Sequence, residues 1–313
     1  MRKKQPAMNE TRRFCKDTKQ SKTILFAYIK KKSYLCKMVF RKLTYCALFA
    51  TVILLSACNK EYRQIQRSRD TNLKYEYAMK MIAEGRDARA LRIFDEIQPF
   101  MRGRENFGLM MFTMAEAYFR TRDFFMAGHA FQTYARLFPQ SERAEEAFFM
   151  AAYCMMLDVP FYKLDQTNAH NAIRQFQLFI NYYSGSPRVR EANEHIDMLR
   201  LQLARKAFAL ANNYYRRSHY LSASVSFRNV MRDFPETGFR EQAMYMNVKS
   251  LFYYAHNSVR ARQVERFENT LEAYEQFLRS FPESQYLGRL QNYLTRTNNF
   301  LERQRQQQLI SQQ

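Results

Sequence analysis

The sequence predicts an all-α protein built from a series of packed helix pairs. Glycine and proline, the residues that tight turns use most, number only seven each in 313 residues, which argues against a protein of many short strands. Apolar residues make up 47% of the chain, enough to bury a sizeable core. The chain holds 27 Phe, 21 Tyr and 17 Met but no Trp, a supply of side chains that suits many helix–helix contacts.

A pattern of five residues occurs twice at identical spacing and defines the repeating unit. Its members are Ala115, Tyr118, Ala127, Phe131 and Pro139 in one copy, and Ala211, Tyr214, Ala223, Phe227 and Pro235 in the other. The first alanine lets helix A approach helix B, and the tyrosine one turn later covers the joint. The second alanine and the phenylalanine, four residues apart, fill the joint from helix B, and the proline ends that helix.

Weaker copies extend the series to five pairs. Their markers are Ala78, Gly85, Ala90 and Phe94 in the first unit, Tyr153, Ala172 and Phe176 in the third, and Thr270, Tyr274, Phe281 and Pro282 in the fifth. Helix A of the fifth unit is predicted over Glu241–Ala255, and the third unit carries roughly a dozen extra residues between its helices. A closing helix is predicted near Tyr286–Gln304, giving about eleven helices.

The segments that connect consecutive units also resemble one another. The sequence reads Phe-Pro-Gln-Ser at 138–141, Phe-Pro-Glu-Thr at 234–237 and Phe-Pro-Glu-Ser at 281–284. Each connecting segment is expected to end one helix and to offer Ser141, Thr237 or Ser284 as a cap for the next.

The unit is similar to the tetratricopeptide repeat. The sequence therefore predicts a tetratricopeptide-like α-solenoid of about five helix pairs plus a closing helix, over residues 70–303. One unit cannot bury its own apolar face, so stacking on neighbouring units stabilises the series. The tail, residues 304–313, has few apolar side chains and is expected to be disordered.

Residues 38–57 have the proportions of a secretion signal. Met38 is followed by Arg41 and Lys42, and then by the 13-residue apolar run Leu43–Leu55. Such a run spans about 20 Å as a helix, short of the ~30 Å hydrocarbon core, so an uncleaved membrane span is the weaker interpretation. The run ends in Leu-Ser-Ala-Cys, which resembles the bacterial lipobox, so lipid attachment is predicted at Cys58 and residues 58–69 become a lipidated tether.

The positive charge is concentrated before this cysteine. Residues 1–57 contain 14 Lys and Arg against Glu10 and Asp17, more than half of the net charge of +21. If this leader is removed, the remaining chain is moderately basic, and nucleic acid is not an expected partner. Residues 1–37 fit no part of a signal and are interpreted as lying upstream of a translation start at Met38.

No catalytic constellation is evident. The five histidines are scattered, without the HExxH spacing that binds zinc, and the glycines form no phosphate loop. Cys154 lies among Met150, Ala151 and Met155, where a buried thiol is expected rather than a nucleophile. The sequence predicts a protein that is not an enzyme and has no cofactor or metal apart from the covalent lipid on Cys58.

The combination of lipobox and repeats resembles the BamD family, lipoproteins of the outer-membrane β-barrel assembly machinery. The resemblance runs from Cys58 to about Gln304 and includes the phrase Ala-Met-Lys-Met-Ile-Ala-Glu-Gly at 78–85 and the insertion over Pro160–Ile173. It implies lipid anchoring on the periplasmic face of the outer membrane, docking to the barrel protein BamA, and binding of unfolded outer-membrane proteins. The BamA-contacting arginine of some members has no clear counterpart, because Ser226 takes its place and Arg228 is only nearby.

A candidate peptide-binding groove is predicted on helix A of the first two repeats. Its residues are mostly large and apolar, with Arg120 placed to pair with a ligand carboxylate. The set is Tyr75, Met79, Ile82, Leu109, Phe112, Glu116, Phe119 and Arg120. The alternative is that these side chains pack against a neighbouring repeat or the tether.

Two other functions share parts of this evidence. A lipid-anchored repeat adaptor for cell-wall or motility machinery would have the same fold and anchor but a different partner. A cytoplasmic basic scaffold that keeps residues 1–57 would instead bind nucleic acid.

Overall fold

The computed structural model describes residues 61–311, all of whose regular structure is helical. Its contacts divide the chain into a unit up to Lys80 and a unit from Met81 onward. In the first unit, residues 61–67 of the expected tether form a short helix, α1, and the ammonium of Lys80 lies 3.5 Å from the Glu61 carboxylate. The α2 helix, Thr71–Ala83, begins in this unit, where the Asp70 carboxylate accepts hydrogen bonds from the amides of Asn72 and Leu73.

Ten further helices follow in the second unit. They are α3 (Asp87–Met101), α4 (Phe107–Arg120), α5 (Phe124–Leu137), α6 (Ala144–Leu157), α7 (Thr167–Tyr182), α8 (Val189–Arg216), α9 (Tyr220–Asp233), α10 (Phe239–His256), α11 (Arg260–Ser280) and α12 (Leu287–Ser311). Each helix from α3 to α11 packs against the next one along the chain. The all-α, tetratricopeptide-like fold class predicted from the sequence is confirmed.

Most members of the twice-repeated pattern lie where the spacing predicts. The four alanines at 115, 127, 211 and 223 are fully buried, and Phe131 and Phe227 are buried beside them. Both prolines lie just past the C-cap residue of a helix, since α5 ends at Leu137 with Phe138 as its C-cap and α9 ends at Asp233 with Phe234 as its C-cap. Tyr214 differs, because its side chain is 37% exposed and does not cover its joint.

In the first, second and fourth repeats the turn between helices A and B contains a residue in the left-handed conformation. Gly85, Arg122 and Ser218 have φ of 71°, 62° and 61°, and each follows helix A of its repeat. In the second repeat the amide of Arg122 donates to the Phe119 carbonyl and that of Asp123 to the Tyr118 carbonyl, both at 3.0 Å. This is the Schellman arrangement, which satisfies the last carbonyls of a helix.

The hydroxyls of the connecting segments form hydrogen bonds within turns and do not cap the helices directly. The hydroxyl oxygen of Ser141 accepts from the Arg143 amide, one residue before α6 begins, and that of Ser284 accepts from the Tyr286 amide before α12. Thr237 instead donates to the carbonyl of Phe234 at 2.9 Å. The expectation of three equivalent caps is therefore corrected.

Two boundaries also differ from the sequence expectations. The α7 helix begins at Thr167, so only residues 158–166 separate it from α6, and the end of the predicted insertion is helical. Residues 304–311, expected to be disordered, continue α12 to Ser311, although almost all of their side chains are exposed. This segment has Gln, Arg and Leu residues, which favour a helix, and it has no Gly or Pro that would stop one.

Candidate functional site

The predicted groove residues on α2 are partly buried. Tyr75 and Met79 lie in the first unit and Ile82 at the start of the second, and all three side chains have intermediate exposure. Burial raises the pKa of the Tyr75 phenol. These three residues therefore present only part of their surface to any ligand.

Phe112 belongs to the core, which corrects its place in the predicted groove. Its side chain is 2% exposed, and its ring packs edge-on against Phe131 and Tyr134, with centroids 5.7 and 5.1 Å away. The guanidinium of Arg143 lies 4.8 Å from the same ring centroid. The reason is helical spacing: Phe112 precedes Ala115 by three residues and so shares the face that Ala115 turns toward α5.

The other α4 residues keep some exposed surface. Leu109 is exposed, whereas Glu116 and Phe119 are partly buried. The ring of Phe119 lies 5.7 Å from that of Phe124 and 6.2 Å from that of Tyr153, so one side rests on the next repeat.

Arg120 is already paired within the protein. Its guanidinium donates from Nε and from one terminal nitrogen to the Asp87 carboxylate, at 3.1 and 2.8 Å. This hydrogen bonding to Asp87 raises the pKa of Arg120. The expectation that Arg120 waits for a ligand carboxylate is thus corrected, since Asp87 on α3 satisfies it.

A second cleft, which the sequence analysis missed, lies between α5, α6 and α7. A cavity of about 490 Å³ there has aromatic walls and one exposed cation. It is lined by Gln132, Ala135, Arg136, Pro139, Phe148, Ala151, Gln175, Leu178, Tyr182 and Tyr183. The pair of tyrosines that closes α7 was the available signal, because Tyr182 remains exposed with its ring 5.7 Å from that of Phe148.

Cys154, the thiol considered from the sequence, is not placed to react. Cys154 is completely buried, which raises the pKa of its thiol to about 12 and keeps it protonated at neutral pH. Within residues 61–311 no three His, Cys, Asp or Glu side chains cluster in a way that would hold a metal ion. None of the helices in that range is both long and apolar enough to cross a membrane. The leader and Cys58 lie outside the described residues.

Helix pairs that stack along the chain and offer clefts lined by aromatic residues define a helical-repeat binding scaffold. The model of the YfiO family, described as outer membrane lipoprotein, matches residues 67–244. This match covers more than half of the chain, so the protein belongs to the YfiO family of outer-membrane lipoproteins. No curated protein matches the chain.

Proposed function

We propose that this protein is a lipid-anchored component of the outer-membrane β-barrel assembly machinery, and that it binds the barrel insertase and unfolded barrel precursors. The observation that carries the proposal is the YfiO match, which extends from the end of α1 into α10. A scaffold of this kind supplies binding surfaces rather than catalysis. A BamA-like barrel protein is the proposed insertase partner.

The proposed anchor is lipid on Cys58, holding the protein on the periplasmic face of the outer membrane. Mass spectrometry of the mature N-terminus should find an acylated Cys58, and Cys58→Ala should leave the precursor unprocessed. Cys154→Ala is the matched control, because this buried thiol plays no part in anchoring. Asn59 carries no charge that would favour retention at the inner membrane, so the wild-type protein should fractionate with the outer membrane. Fractionation with the inner membrane would contradict this sorting.

The proposed precursor surface is the helix-A face of the second repeat, which carries Leu109, Glu116 and Phe119 on α4, without Phe112. Leu109→Ser removes an exposed apolar side chain from this face and should weaken binding of peptides from barrel C-termini about tenfold. Leu278→Ser on α11 is the control, since Leu278 is exposed to a similar degree. Loss of peptide binding in Tyr182→Ser but not in Leu109→Ser would move the site to the α5–α7 cleft.

The partner distinguishes this function from that of a wall or motility adaptor. Pull-down from detergent-solubilised envelope should recover a large β-barrel protein together with the wild-type chain. Recovery of wall-synthesis proteins alone would overturn the proposed function while leaving the fold and the family unchanged.

A further inference from the structure

Three polar side chains form hydrogen bonds that hold the segment between α6 and α7, residues 158–166, in place. Gln166 is buried, and its amide nitrogen lies 3.2 Å from the carbonyl oxygens of Pro160 and Phe161. Gln202 on α8 donates to the Pro160 carbonyl and to the Gln166 side-chain oxygen, both at 2.8 Å. Lys206 donates to the Leu164 carbonyl at 2.7 Å. The backbone of this segment, named here the clipped loop, is therefore fixed against α8.

The fixed backbone presents large apolar side chains to solvent. Phe161 and Leu164 of the clipped loop are exposed, and so are Met198 and Leu201, which lie three residues apart on α8. A cavity of about 620 Å³ opens beside Phe161, Met198 and Leu201. It is lined by Val159, Pro160, Phe161, Tyr162, Met198, Leu201, Gln202, Arg205 and Phe239. An apolar surface held in place rather than buried marks an interaction site.

The cavity also carries a positive charge. The guanidinium of Arg205 lies 4.5 Å from the centroid of the Tyr162 ring, and the Lys163 ammonium is 5.9 Å from the same ring. Within the part of the chain that the structure describes, Arg205 forms no ion pair. The carboxylates of the clipped loop are engaged, because Asp158 accepts from the Asn168 amide group at 3.0 Å and Asp165 accepts from the Thr167 amide at 3.2 Å.

We propose that the clipped loop and the adjoining face of α8 form a docking site for a partner protein segment that carries a large apolar side chain beside an acidic side chain. The apolar side chain would enter between Phe161, Met198 and Leu201, and the carboxylate would pair with Arg205. Charge complementarity supports this occupant, since a guanidinium stacked on an aromatic ring keeps its hydrogen-bond donors for a carboxylate. The cavity is within the usual size range for a ligand site. This site is separate from the helix-A face and does not depend on the proposed function.

The test measures binding of synthetic peptides to the full protein by fluorescence anisotropy. The probe has the sequence Gly-Ser-Phe-Glu-Leu-Phe-Glu-Ser-Gly with blocked ends, and its partner has Gln in place of both Glu residues. The acidic peptide should bind about tenfold more tightly than its Gln counterpart, and Arg205→Gln should remove that difference. Arg190→Gln, at another exposed arginine of α8, should retain it.

The apolar contact has a matched pair of variants on the same helix. Leu201 and Leu210 are 49% and 53% exposed, so Leu201→Ser should weaken binding about tenfold and Leu210→Ser should not change it. Equal affinity for the acidic and Gln peptides, or equal effects of the two Leu variants, would overturn the proposal. Two other results would do the same: binding only of a peptide with a free C-terminal carboxylate, or a dimer in sedimentation that Leu201→Ser abolishes.

Discussion

The second and fourth repeats share five pattern residues at the same spacing, yet their tyrosines differ in environment. Tyr118 is buried, and its hydroxyl donates to Asp95 on α3 at 2.9 Å. Tyr214, at the matching position of α8, is 37% exposed. Its neighbour Tyr215 makes the ring contacts instead, 5.6 Å from Tyr220 and 6.1 Å from Tyr253.

The comparison shows which residues the contact between helices A and B requires and which residues depend on the neighbouring helices. Within each repeat, close approach of two helices requires the small residues and the phenylalanine, and these are buried in both copies. The tyrosine is buried only where the preceding helix supplies an acceptor, as α3 does through Asp95. Helix A is also of very different length in the two repeats, 14 residues in α4 and 28 in α8.

The largest effect is expected where the two repeats agree. Phe131→Ala and Phe227→Ala should each lower the free energy of unfolding by about 3–5 kcal/mol, because both rings are buried and their removal leaves cavities. Urea unfolding followed by circular dichroism measures this loss. A cost below 1 kcal/mol in only one repeat would show that the two joints are not equivalent.

Enlarging the small residue tests the same joints from the opposite direction. Ala127→Leu and Ala223→Leu should each destabilise the protein by about 1–3 kcal/mol, since both alanines are fully buried between helices. Ala261→Leu, at an exposed position of α11, is the control and should have little effect. Near wild-type thermal stability of Ala127→Leu would contradict the packing described for α4 and α5.

The two tyrosines should respond differently to loss of the hydroxyl. Tyr118→Phe should cost about 1–2 kcal/mol, because it removes a hydrogen bond to a carboxylate, whereas Tyr214→Phe should cost almost nothing. Denaturation of both variants beside wild type provides the measurement. Equal costs would show that the Asp95 contact is not what distinguishes the repeats.

This difference between wild type and Tyr118→Phe should also depend on pH. Burial and the hydrogen bond to Asp95 raise the pKa of Tyr118 above its usual 10.0. The folded state therefore holds this proton more tightly than the unfolded state. The stability that the hydroxyl contributes should be constant from neutral pH up to pH 10 and should decline as the pH rises above it. A difference that grows in alkali would contradict this assignment.

The sequence predicted the joints well because their requirements are local. Alanines and phenylalanines at helical spacing, followed by proline, indicated the buried positions in both strong repeats. The candidate groove was predicted less well. The role of Phe112 depends on which face of α4 contacts α5, and the pairing of Arg120 depends on Asp87, which lies on a different helix. The clipped loop depends on Gln166 and Gln202, which lie on either side of α7 and meet only in three dimensions.

The smallest expected effect concerns the left-handed residue of the turn between helices A and B. The first repeat has Gly85 there, whereas the second and fourth have Arg122 and Ser218 with similar positive φ. A side chain disfavours this backbone conformation, so Arg122→Gly should raise the free energy of unfolding by about 0.5–1 kcal/mol. Ser218→Gly should gain less, because Ser218 also accepts a hydrogen bond from the Tyr220 hydroxyl at 3.3 Å.

The reverse change in the first repeat completes this test. A β-carbon at Gly85 would meet no atom within 4 Å beyond the adjoining residues of the chain, so any cost of Gly85→Ala comes from the backbone conformation and not from a clash. We expect a loss of about 1 kcal/mol, measured by the same urea denaturation. If Gly85→Ala is neutral and Arg122→Gly is destabilising, the turns of these repeats are not stabilised by glycine, and the Arg122 side chain must contribute a contact of its own.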